Sequence, residues 1–293
     1  MTTIYVDNAA TTQLSDTALE AMKPMMQEIY GNPSSLHHVG QIAKEHLEDA
    51  RARAAKCINA NPNEIYFTSG GSEADNQAII TAAYNGAKKG KKHIISSKFE
   101  HHAVLHTLDK LAKEGFEIQL LDVYSDGIVK VEDVKNALRD DTALVTIMTA
   151  NNEVGTIQPI KEIGAVCKEK GVLFHTDAVQ GFGHIPIDVV DMNIDMLSIS
   201  AHKFHGPKGV GLLYCRKGIV LQNVINGGAQ ERGKRAGTEN MASIVGMAAA
   251  MEEAVKDLDK NAKYVTALRD KIIDGCADCS PSFSGFVNKK KSR

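Results

Sequence analysis

Residues 160–180 read IKEIGAVCKEKGVLFHTDAVQ, and this stretch decides the fold. Apolar residues recur at helical spacing over Ile160–Lys170, and after one glycine the short apolar run Val172–Thr176 predicts a buried strand. Strands of the same kind are predicted at Glu64–Thr68, His93–Ser97, Glu117–Val123, Ala143–Thr149, Met196–Ser200 and Val210–Cys215. Strands that alternate with helices in this way predict an α/β fold with a mainly parallel seven-stranded sheet between helices.

Helical patterns fill most of the intervals between these strands and continue beyond them. The patterns cover Asp16–Tyr30, Gln41–Ile58, Glu73–Lys88, Ala103–Glu114, Val131–Leu138 and Asn240–Ile273. From Gly275 to Arg293 no periodicity is visible, which predicts a loop or a frayed tail. The loop from Ser200 to Val210 is too short for a helical crossover, so the last two strands are predicted to pair antiparallel.

The composition is that of an ordinary globular protein. The 293 residues are 43% hydrophobic, and Lys plus Arg (34) nearly balance Asp plus Glu (36), for a net charge of −2. This balance argues against a nucleic-acid groove or a membrane-docking face, and no apolar run approaches the roughly 20 residues that span a bilayer. The start of the chain lacks a signal-peptide pattern, and five cysteines without a regular framework predict a cytoplasmic location.

Three segments carry the polar residues of a candidate site, and the first two follow predicted strands directly. In Thr68–Asn76 (TSGGSEADN), two glycines allow a tight turn and Ser72 begins a helix, whose free N–H groups can bind phosphate. An ordinary capped turn has the same appearance. Asp177 follows the strand Val172–Thr176, where its carboxylate could keep a ring nitrogen protonated or could simply cap a helix.

The third segment is the loop Ser200–Gly209 (SAHKFHGPKG), which brings two histidines and two lysines together before rigid Gly and Pro turns. A lysine in such surroundings can acquire the lowered pKa that imine formation requires, although a single lysine is more often solvated surface. A phosphate seat, a partner for a ring nitrogen and an amine together indicate a pyridoxal phosphate enzyme. Zinc is the weaker alternative, and no metal is predicted, because the usual ligand spacings are missing.

The full set of motifs resembles the NifS-like cysteine desulfurases of the class V aminotransferase family. The matching segments, in family order, are Tyr5–Thr12, Gly31–Ser35, Thr68–Asn76, Glu100-His101, Asn151–Gly155, Asp177–Gln180, Ser200–Gly209, Glu231–Gly233 and Gly237–Asn240. They spread over nearly all of residues 1–275. The resemblance implies the fold type I of pyridoxal phosphate-dependent transferases, with an incomplete small domain. It divides the chain into a large cofactor-binding domain (16–255) and a remnant of the small C-terminal domain (1–15 and 256–293).

The resemblance also implies a role for each matching position. Lys203 would bind pyridoxal 5'-phosphate covalently and later move the proton of the substrate α-carbon. His101 would stack on the cofactor ring and act as an acid or base. Asp177 would pair with the ring nitrogen, while Asn152 and Gln180 would lie near the phenolic oxygen.

The cofactor phosphate has its own expected partners. They are Gly71, Ser72, Ser200, His202 and, from the neighbouring subunit of a homodimer, Thr238. Arg232 and Arg235 belong to the same loop as Thr238 and could face either the site or the dimer contact.

Family members convert L-cysteine to L-alanine and pass the sulfur, through a loop cysteine, to iron–sulfur scaffold proteins or to tRNA thiolation. That cysteine lies in a Cys-Thr-Ser-Gly segment, which does not occur in these 293 residues. The family's C-terminal arginine for the substrate carboxylate is also missing. Cys276 and Cys279 are weak candidates for the nucleophile, whereas Cys57, Cys167 and Cys215 are expected to be structural.

The function indicated first is therefore a pyridoxal phosphate-dependent cysteine desulfurase, truncated relative to its family, with L-cysteine as substrate and a sulfur-acceptor protein as partner. One alternative is a catalytically silent relative that binds the cofactor and serves as a dimeric scaffold. Another is a cofactor-dependent enzyme limited to transamination or β-elimination. Without the small domain, we expect apolar surface near Val255, Leu258, Val265 and Leu268.

Overall fold

The structure is a computed structural model that describes residues 4–279, with side chains described up to Gly275. Within this range seven strands form one sheet. They are β1 (Ile65–Thr68), β2 (His93–Ser97), β3 (Glu117–Leu121), β4 (Thr142–Thr146), β5 (Leu173–Asp177), β6 (Met196–Ser200) and β7 (Gly211–Cys215). All seven predicted strands are confirmed, each within a few residues of its predicted bounds.

The helices of the described residues cover both faces and one end of the sheet. They are α1 (Asp16–Gln27), α2 (His38–Lys56), α3 (Gly71–Ala87), α4 (His102–Lys113), α5 (Val131–Ala137), α6 (Ile160–Lys170), α7 (Gln230–Gly233), α8 (Met241–Lys256) and α9 (Leu258–Cys279). Local chemistry sets several ends. The Ser15 hydroxyl caps α1 by accepting from the Ala18 N–H at 3.1 Å, and α6 stops at Gly171, which takes a left-handed φ of 63°.

The strand order is β1-β7-β6-β5-β4-β2-β3. Strands β2 to β6 pair in parallel, and β7 pairs antiparallel with β6 on one side and with β1 on the other. The antiparallel pairing predicted for the last two strands is confirmed, with Ser200 opposite Gly211. Because β4, β5 and β6 are parallel neighbours, their carboxyl ends meet at one edge of the sheet, where α/β proteins bind ligands.

Alternation along the strands divides the core into two apolar layers. Ile94 packs with α3 and α4 on one face, and the next residue, Ile95, packs in the larger cluster on the other face, where α1, α2, α6 and α8 lie. Leu144 and Val145 repeat the pattern on β4. Both faces of the sheet are buried, as expected for a parallel sheet between helices.

The structure corrects two predictions at the C-terminal end. The single helix predicted over Asn240–Ile273 is interrupted at Asp257, which ends α8 as its C-cap. The loop predicted from Gly275 is wrong as far as Cys279, because α9 continues through these residues. One glycine costs a helix only about 1 kcal/mol, so Gly275 did not end it. The remainder of that predicted loop, residues 280–293, lies outside the described residues.

Helix α9 and the end of α8 present apolar side chains to solvent. Val255, Val265 and Leu268 are each between 43% and 56% exposed, and Leu258 is partly exposed. No helix among residues 4–279 combines the length and the apolar character needed to cross a bilayer. The division into a large domain and a small-domain remnant stays a prediction.

Candidate active site

A cavity of about 260 Å³ opens at the carboxyl ends of β5 and β6, beside the start of α3. Nine of the ten predicted site residues line it together, although they come from distant parts of the sequence. The nine are Gly71, Ser72, His101, Asn152, Asp177, Gln180, Ser200, His202 and Lys203. Their convergence follows from the strand order, which places these loops side by side.

One side of the cavity is the N-terminal turn of α3. A helix leaves its first N–H groups without partners inside the helix, and here Gly71 and Ser72 turn that end toward the cavity. A Cβ on Gly71 would lie 2.4 Å from Cγ2 of Val179, so only glycine allows this close approach. The turn can therefore bind a phosphate through backbone N–H groups.

Asp177, at the end of β5, is buried in the cavity wall. Its Oδ1 accepts a hydrogen bond from the Val179 N–H at 2.8 Å. Burial raises the pKa of Asp177, and the Val179 N–H and the nearby positive charges of His101 and Lys203 partly oppose the rise. A cationic ring nitrogen in the cavity would add a further partner that favours the charged carboxylate.

Lys203 ends the short 3-10 helix Ala201–Lys203 that follows β6 directly. Its Nζ donates a hydrogen bond to the carbonyl of Ala9. Burial lowers the pKa of Lys203, and the carboxylates of Asp177, Asp7 and Glu153 oppose this shift. A lowered pKa leaves more of the amine unprotonated at neutral pH, as imine formation requires.

The N-terminal segment fixes the loop that carries Lys203. The N–H and the hydroxyl of Thr12 donate to the carbonyl of His202 at 2.9 and 2.8 Å, and the Ser15 N–H donates to that of His205 at 2.9 Å. His202 Nδ1 also lies 3.2 Å from the Thr11 hydroxyl, and burial lowers the pKa of its ring. The segment thereby brings Ala10 into the cavity wall.

Three polar side chains complete the wall. His101 caps α4, its Nδ1 accepting from the Ala103 N–H at 3.1 Å, and is otherwise exposed. Asn152 donates to Glu153 at 2.9 Å. Gln180 has a buried Oε1 without any hydrogen-bond partner among the described residues. Since a buried polar atom without a partner is unfavourable, Gln180 is set to interact with a bound molecule.

Thr238 is the one predicted site residue outside this cavity. It is exposed and lines a separate, smaller cavity with Ser69 and Glu239. The two arginines of the same loop also face elsewhere. Arg235 pairs with Glu73 at 2.8 Å, and Arg232 lies over the Tyr66 ring, 4.4 Å from its centroid.

The cavity also contains residues that the sequence analysis did not assign, namely Ala10, Asp75, Met148 and Val179. Asp75 belongs to the Thr68–Asn76 motif, three residues after Ser72, and this helical spacing is the signal that could have identified it. Among the described residues no group of three or more His, Cys, Asp or Glu side chains is arranged to hold a metal ion.

A lysine amine with a lowered pKa, a buried carboxyl group and a helix N-terminus around one small cavity are the features of a pyridoxal phosphate enzyme. Each feature matches one part of the cofactor: the aldehyde, the ring nitrogen and the phosphate. The orphaned Oε1 of Gln180 is free for a polar group on the ring. The residues present therefore fit pyridoxal 5'-phosphate.

The chain belongs to the class V aminotransferase family, whose sequence profile, described as "Aminotransferase class-V", matches residues 4–288. "Cysteine desulfurase IscS" from Clostridium botulinum is 55% identical to it over 272 residues, which cover 93% of this chain and 68% of that protein. "Putative cysteine desulfurase IscS 1" from Bacillus subtilis is 51% identical over 293 residues, covering 100% of this chain and 77% of that protein.

A solved structure of a "NifS-like protein" has the same fold, with a TM-score of 0.92 at 45% identity over 94% of this chain and 76% of that chain. The family and the fold type that the sequence motifs predict are thus confirmed. Proteins of this family depend on pyridoxal 5'-phosphate, which the cavity fits.

Proposed function

We propose that this chain is a pyridoxal 5'-phosphate-dependent cysteine desulfurase, which converts L-cysteine to L-alanine and passes the sulfur on for iron–sulfur cluster assembly or tRNA thiolation. The observation that carries the proposal is the single cavity in which Lys203, Asp177 and the N-terminus of α3 meet. The curated relatives described above, which are named as cysteine desulfurases, support the choice of substrate and reaction.

Different residues of the cavity would bind different parts of the cofactor. The N–H groups of Gly71 and Ser72, with the hydroxyl of Ser200 and the ring of His202, hold the phosphate. Asp177 holds the proton on the ring nitrogen, and this proton makes the ring a better acceptor of electrons. His101, at the exposed rim, would cover the cofactor ring, while Asn152 and Gln180 would interact with its oxygen substituent.

The bound cofactor supplies a conjugated ring that stabilises negative charge at the α-carbon of an attached amino acid. Lys203 provides the amine that anchors the cofactor, and its Nζ then removes and returns the proton at the substrate α-carbon. Burial lowers the pKa of Lys203, which leaves more of the amine unprotonated and able to accept that proton. His101 is placed to move a second proton at the rim of the cavity.

The sulfur leaves L-cysteine when its C–S bond breaks and a thiolate takes the sulfur atom as a persulfide. The carbon keeps the electron pair, gains a proton and becomes the methyl group of alanine. Burial raises the pKa of Cys57 to about 11 and those of Cys167 and Cys215 to about 12, so none of these three thiols is activated. The other two candidates, Cys276 and Cys279, lie where side chains are outside the described residues.

The first test replaces Lys203 by alanine in the full chain. The wild-type protein loaded with pyridoxal 5'-phosphate is expected to be yellow, and Lys203→Ala is expected to lose that absorbance band and all turnover of L-cysteine. Lys208→Ala is the matched control, because Lys208 belongs to the same loop but does not line the cavity. A wild-type protein that stays colourless with added cofactor would contradict the proposal.

Product analysis separates this reaction from the alternatives. With L-cysteine and dithiothreitol, a desulfurase releases alanine and sulfide in equal amounts. A β-elimination releases pyruvate and ammonia with the sulfide, a transamination consumes cysteine without sulfide, and a silent scaffold yields no product. Cys276→Ser and Cys279→Ser variants, assayed without dithiothreitol, identify whether either thiol holds the persulfide.

We further propose a homodimer in which Thr238 reaches the phosphate of the partner subunit. The exposure of Thr238 and its place outside this chain's own cavity support this arrangement. Mixing Thr238→Val with Lys203→Ala subunits tests it. In a shared site, one of the two mixed sites carries both defects and the other carries neither, so activity should partly return.

A cytoplasmic location and a protein sulfur acceptor belong to the same proposal. The three described cysteines, Cys57, Cys167 and Cys215, are free thiols, which suits a reducing compartment. Transfer of labelled sulfur from L-cysteine to a scaffold protein, measured in the purified mixture, is the test of the acceptor.

A further inference from the structure

A second carboxyl group faces the cavity beside Asp177, and the binding scheme above does not use it. Asp75 lies on α3, one turn beyond the phosphate-binding end, and lines the same cavity as Asp177 and Lys203. Its side chain is only 1% exposed. This buried acid therefore shares the helix of the phosphate-binding turn and the cavity of Lys203.

In the described part of the chain, no lysine or arginine forms an ion pair with Asp75. Its Oδ1 has no hydrogen-bond partner among the described residues and lies 3.6 Å from Nε2 of His175. That ring nitrogen lies 3.0 Å from the Ser198 hydroxyl, and Nδ1 lies 2.8 Å from the Thr146 hydroxyl. Complete burial lowers the pKa of His175 to about 3, so His175 is neutral and does not form an ion pair with Asp75.

The charged groups around Asp75 come from several elements. Asp177 lies on β5, Glu100 precedes α4, and Lys203 and His101 line the same cavity. Burial raises the pKa of Asp75 well above its usual range, the charge of Asp177 raises it further, and the Ser198 hydroxyl on β6 opposes the rise.

The two acids are not equivalent. The charged form of Asp177 is favoured by the Val179 N–H and by the fields of His101 and Lys203, whereas no cationic side chain of the described residues acts on Asp75 in this way. Two carboxylates in one small buried cavity repel each other, so one of them keeps its proton. The contacts select Asp177 as the charged member.

We propose that Asp75 is a positioning residue of the cofactor site, a neutral carboxylic acid that leaves Asp177 as the single charged carboxyl group facing the ring nitrogen. This inference rests on the proposed function, because Asp177 acts on the ring of the cofactor. The neutral acid prevents a second negative charge from raising the pKa of Lys203. Through Ser198 it also links α3 to β6, and so relates the phosphate seat to the strand that leads into Lys203.

The protonation state is tested on the full chain without added cofactor. Infrared difference spectra between wild type and Asp75→Asn at pH 7 should show the loss of a carbonyl stretch from a protonated carboxyl group. Glu100→Gln serves as a second reference, because it removes a different buried acid. Loss of carboxylate bands alone in Asp75→Asn would overturn the proposal.

The positioning role is tested with the pyridoxal 5'-phosphate-loaded chain, through the pH midpoint of its absorbance band. Asp75→Asn keeps the shape of the side chain and changes no charge. The proton-dissociation constant at this midpoint and the affinity for the cofactor should therefore both stay within about threefold of wild type. Asp75→Ala, in contrast, should bind the cofactor about tenfold more weakly. A midpoint moved by about one pH unit in Asp75→Asn would mean that a real charge was removed, and would overturn the proposal.

Two comparisons keep the results interpretable. Asp109→Asn, an exposed change on α4, controls for the loss of any aspartate. If wild type fails to bind pyridoxal 5'-phosphate, the proposed function fails, and the infrared result on the unloaded chain still decides the protonation of Asp75. If wild type binds the cofactor and Asp75→Ala binds it equally well, the positioning role alone is overturned.

Discussion

Two groups of buried ionisable side chains differ in whether their polar atoms have partners within the described residues. Arg51 and Glu231, packed between α2, β1 and α7, form a complete pair: Glu231 accepts from Nη1 and Nη2 of Arg51 at 2.8 and 2.9 Å, and from the Phe67 N–H at 3.0 Å. In contrast, the acids near the cavity retain buried oxygens without partners, Oδ1 of Asp75 and Oε2 of Glu100. The buried charges of the Arg51–Glu231 pair are neutralised within the chain, whereas burial without partners favours the protonated, neutral form of Asp75 and Glu100.

The Arg51–Glu231 pair, called the scaffold pair below, also stabilises a strained turn. Glu231 and Arg232 both take left-handed backbone conformations, with φ values of 46° and 57°, which cost non-glycine residues roughly 1–2 kcal/mol each. The bonds from Arg51 hold this strained turn in place, and the loop that carries Thr238 leaves from it. Buried pairing therefore stabilises a geometry that the local sequence disfavours.

The largest expected effect comes from breaking the scaffold pair. Arg51→Met should lower the free energy of unfolding by about 3–5 kcal/mol, because it leaves the charge of Glu231 buried without its partner. Urea unfolding measures the change. The double variant Arg51→Met/Glu231→Gln should recover part of the loss, since no charge is then left unpaired, and a double variant as unstable as the sum of two single ones would contradict the comparison.

A smaller effect, dependent on pH, is expected at Glu100. Burial raises the pKa of Glu100 from 4.5 to about 8, against the hydrogen bonds from Ser97 and the Met148 N–H. The folded chain therefore binds this proton more tightly than the unfolded chain, so this acid makes the free energy of unfolding fall as pH rises from about 4.5 to about 8.

Glu100→Gln should remove that fall, a difference from wild type on the order of 3 to 4 kcal/mol between pH 5 and pH 8. Urea unfolding at a series of pH values measures it, with the exposed Glu132→Gln as control. A difference between wild type and Glu100→Gln that stays constant with pH would show that Glu100 is already paired and charged.

The smallest effect is expected at the partly exposed pair between Arg235 and Glu73. Burial alone would raise the pKa of Glu73, but hydrogen bonds from Arg235 and Ser69 outweigh it and lower the pKa. Arg235→Ala should cost about 1 kcal/mol at neutral pH, because Glu73 keeps its bond from the Ser69 N–H at 2.8 Å. The cost should shrink as pH falls and Glu73 takes up a proton, and a loss as large as that of Arg51→Met would contradict the ranking.

The sequence was sufficient for the elements with strong periodicity. The seven strands, the antiparallel position of β7 and most helices follow from runs of a few residues, where burial on one or both faces leaves a local pattern. The sequence prediction failed at the junction of α8 and α9 and at Gly275, because a helix pattern does not reveal a one-residue interruption or how little one glycine costs.

Some residues of the candidate site could likewise be predicted from the sequence, and others could not. Lys203, Asp177 and the Gly71–Ser72 turn could be predicted, since each is a residue type required by the chemistry at the end of a strand or the start of a helix. The partners of Arg235 could not, because they depend on which elements lie beside each other in the sheet. Asp75 was not assigned, although its helical spacing to Ser72 is a signal in the sequence.

By itself, the sequence determined the α/β class, the family and nine of the thirteen residues that line the cavity, because these are carried by local patterns and motifs. Only the tertiary structure decided which buried charges are paired. Burial, distance and the neighbours across β5, β6 and α3 set the energy of a charge, and these arise only when segments a hundred residues apart pack together.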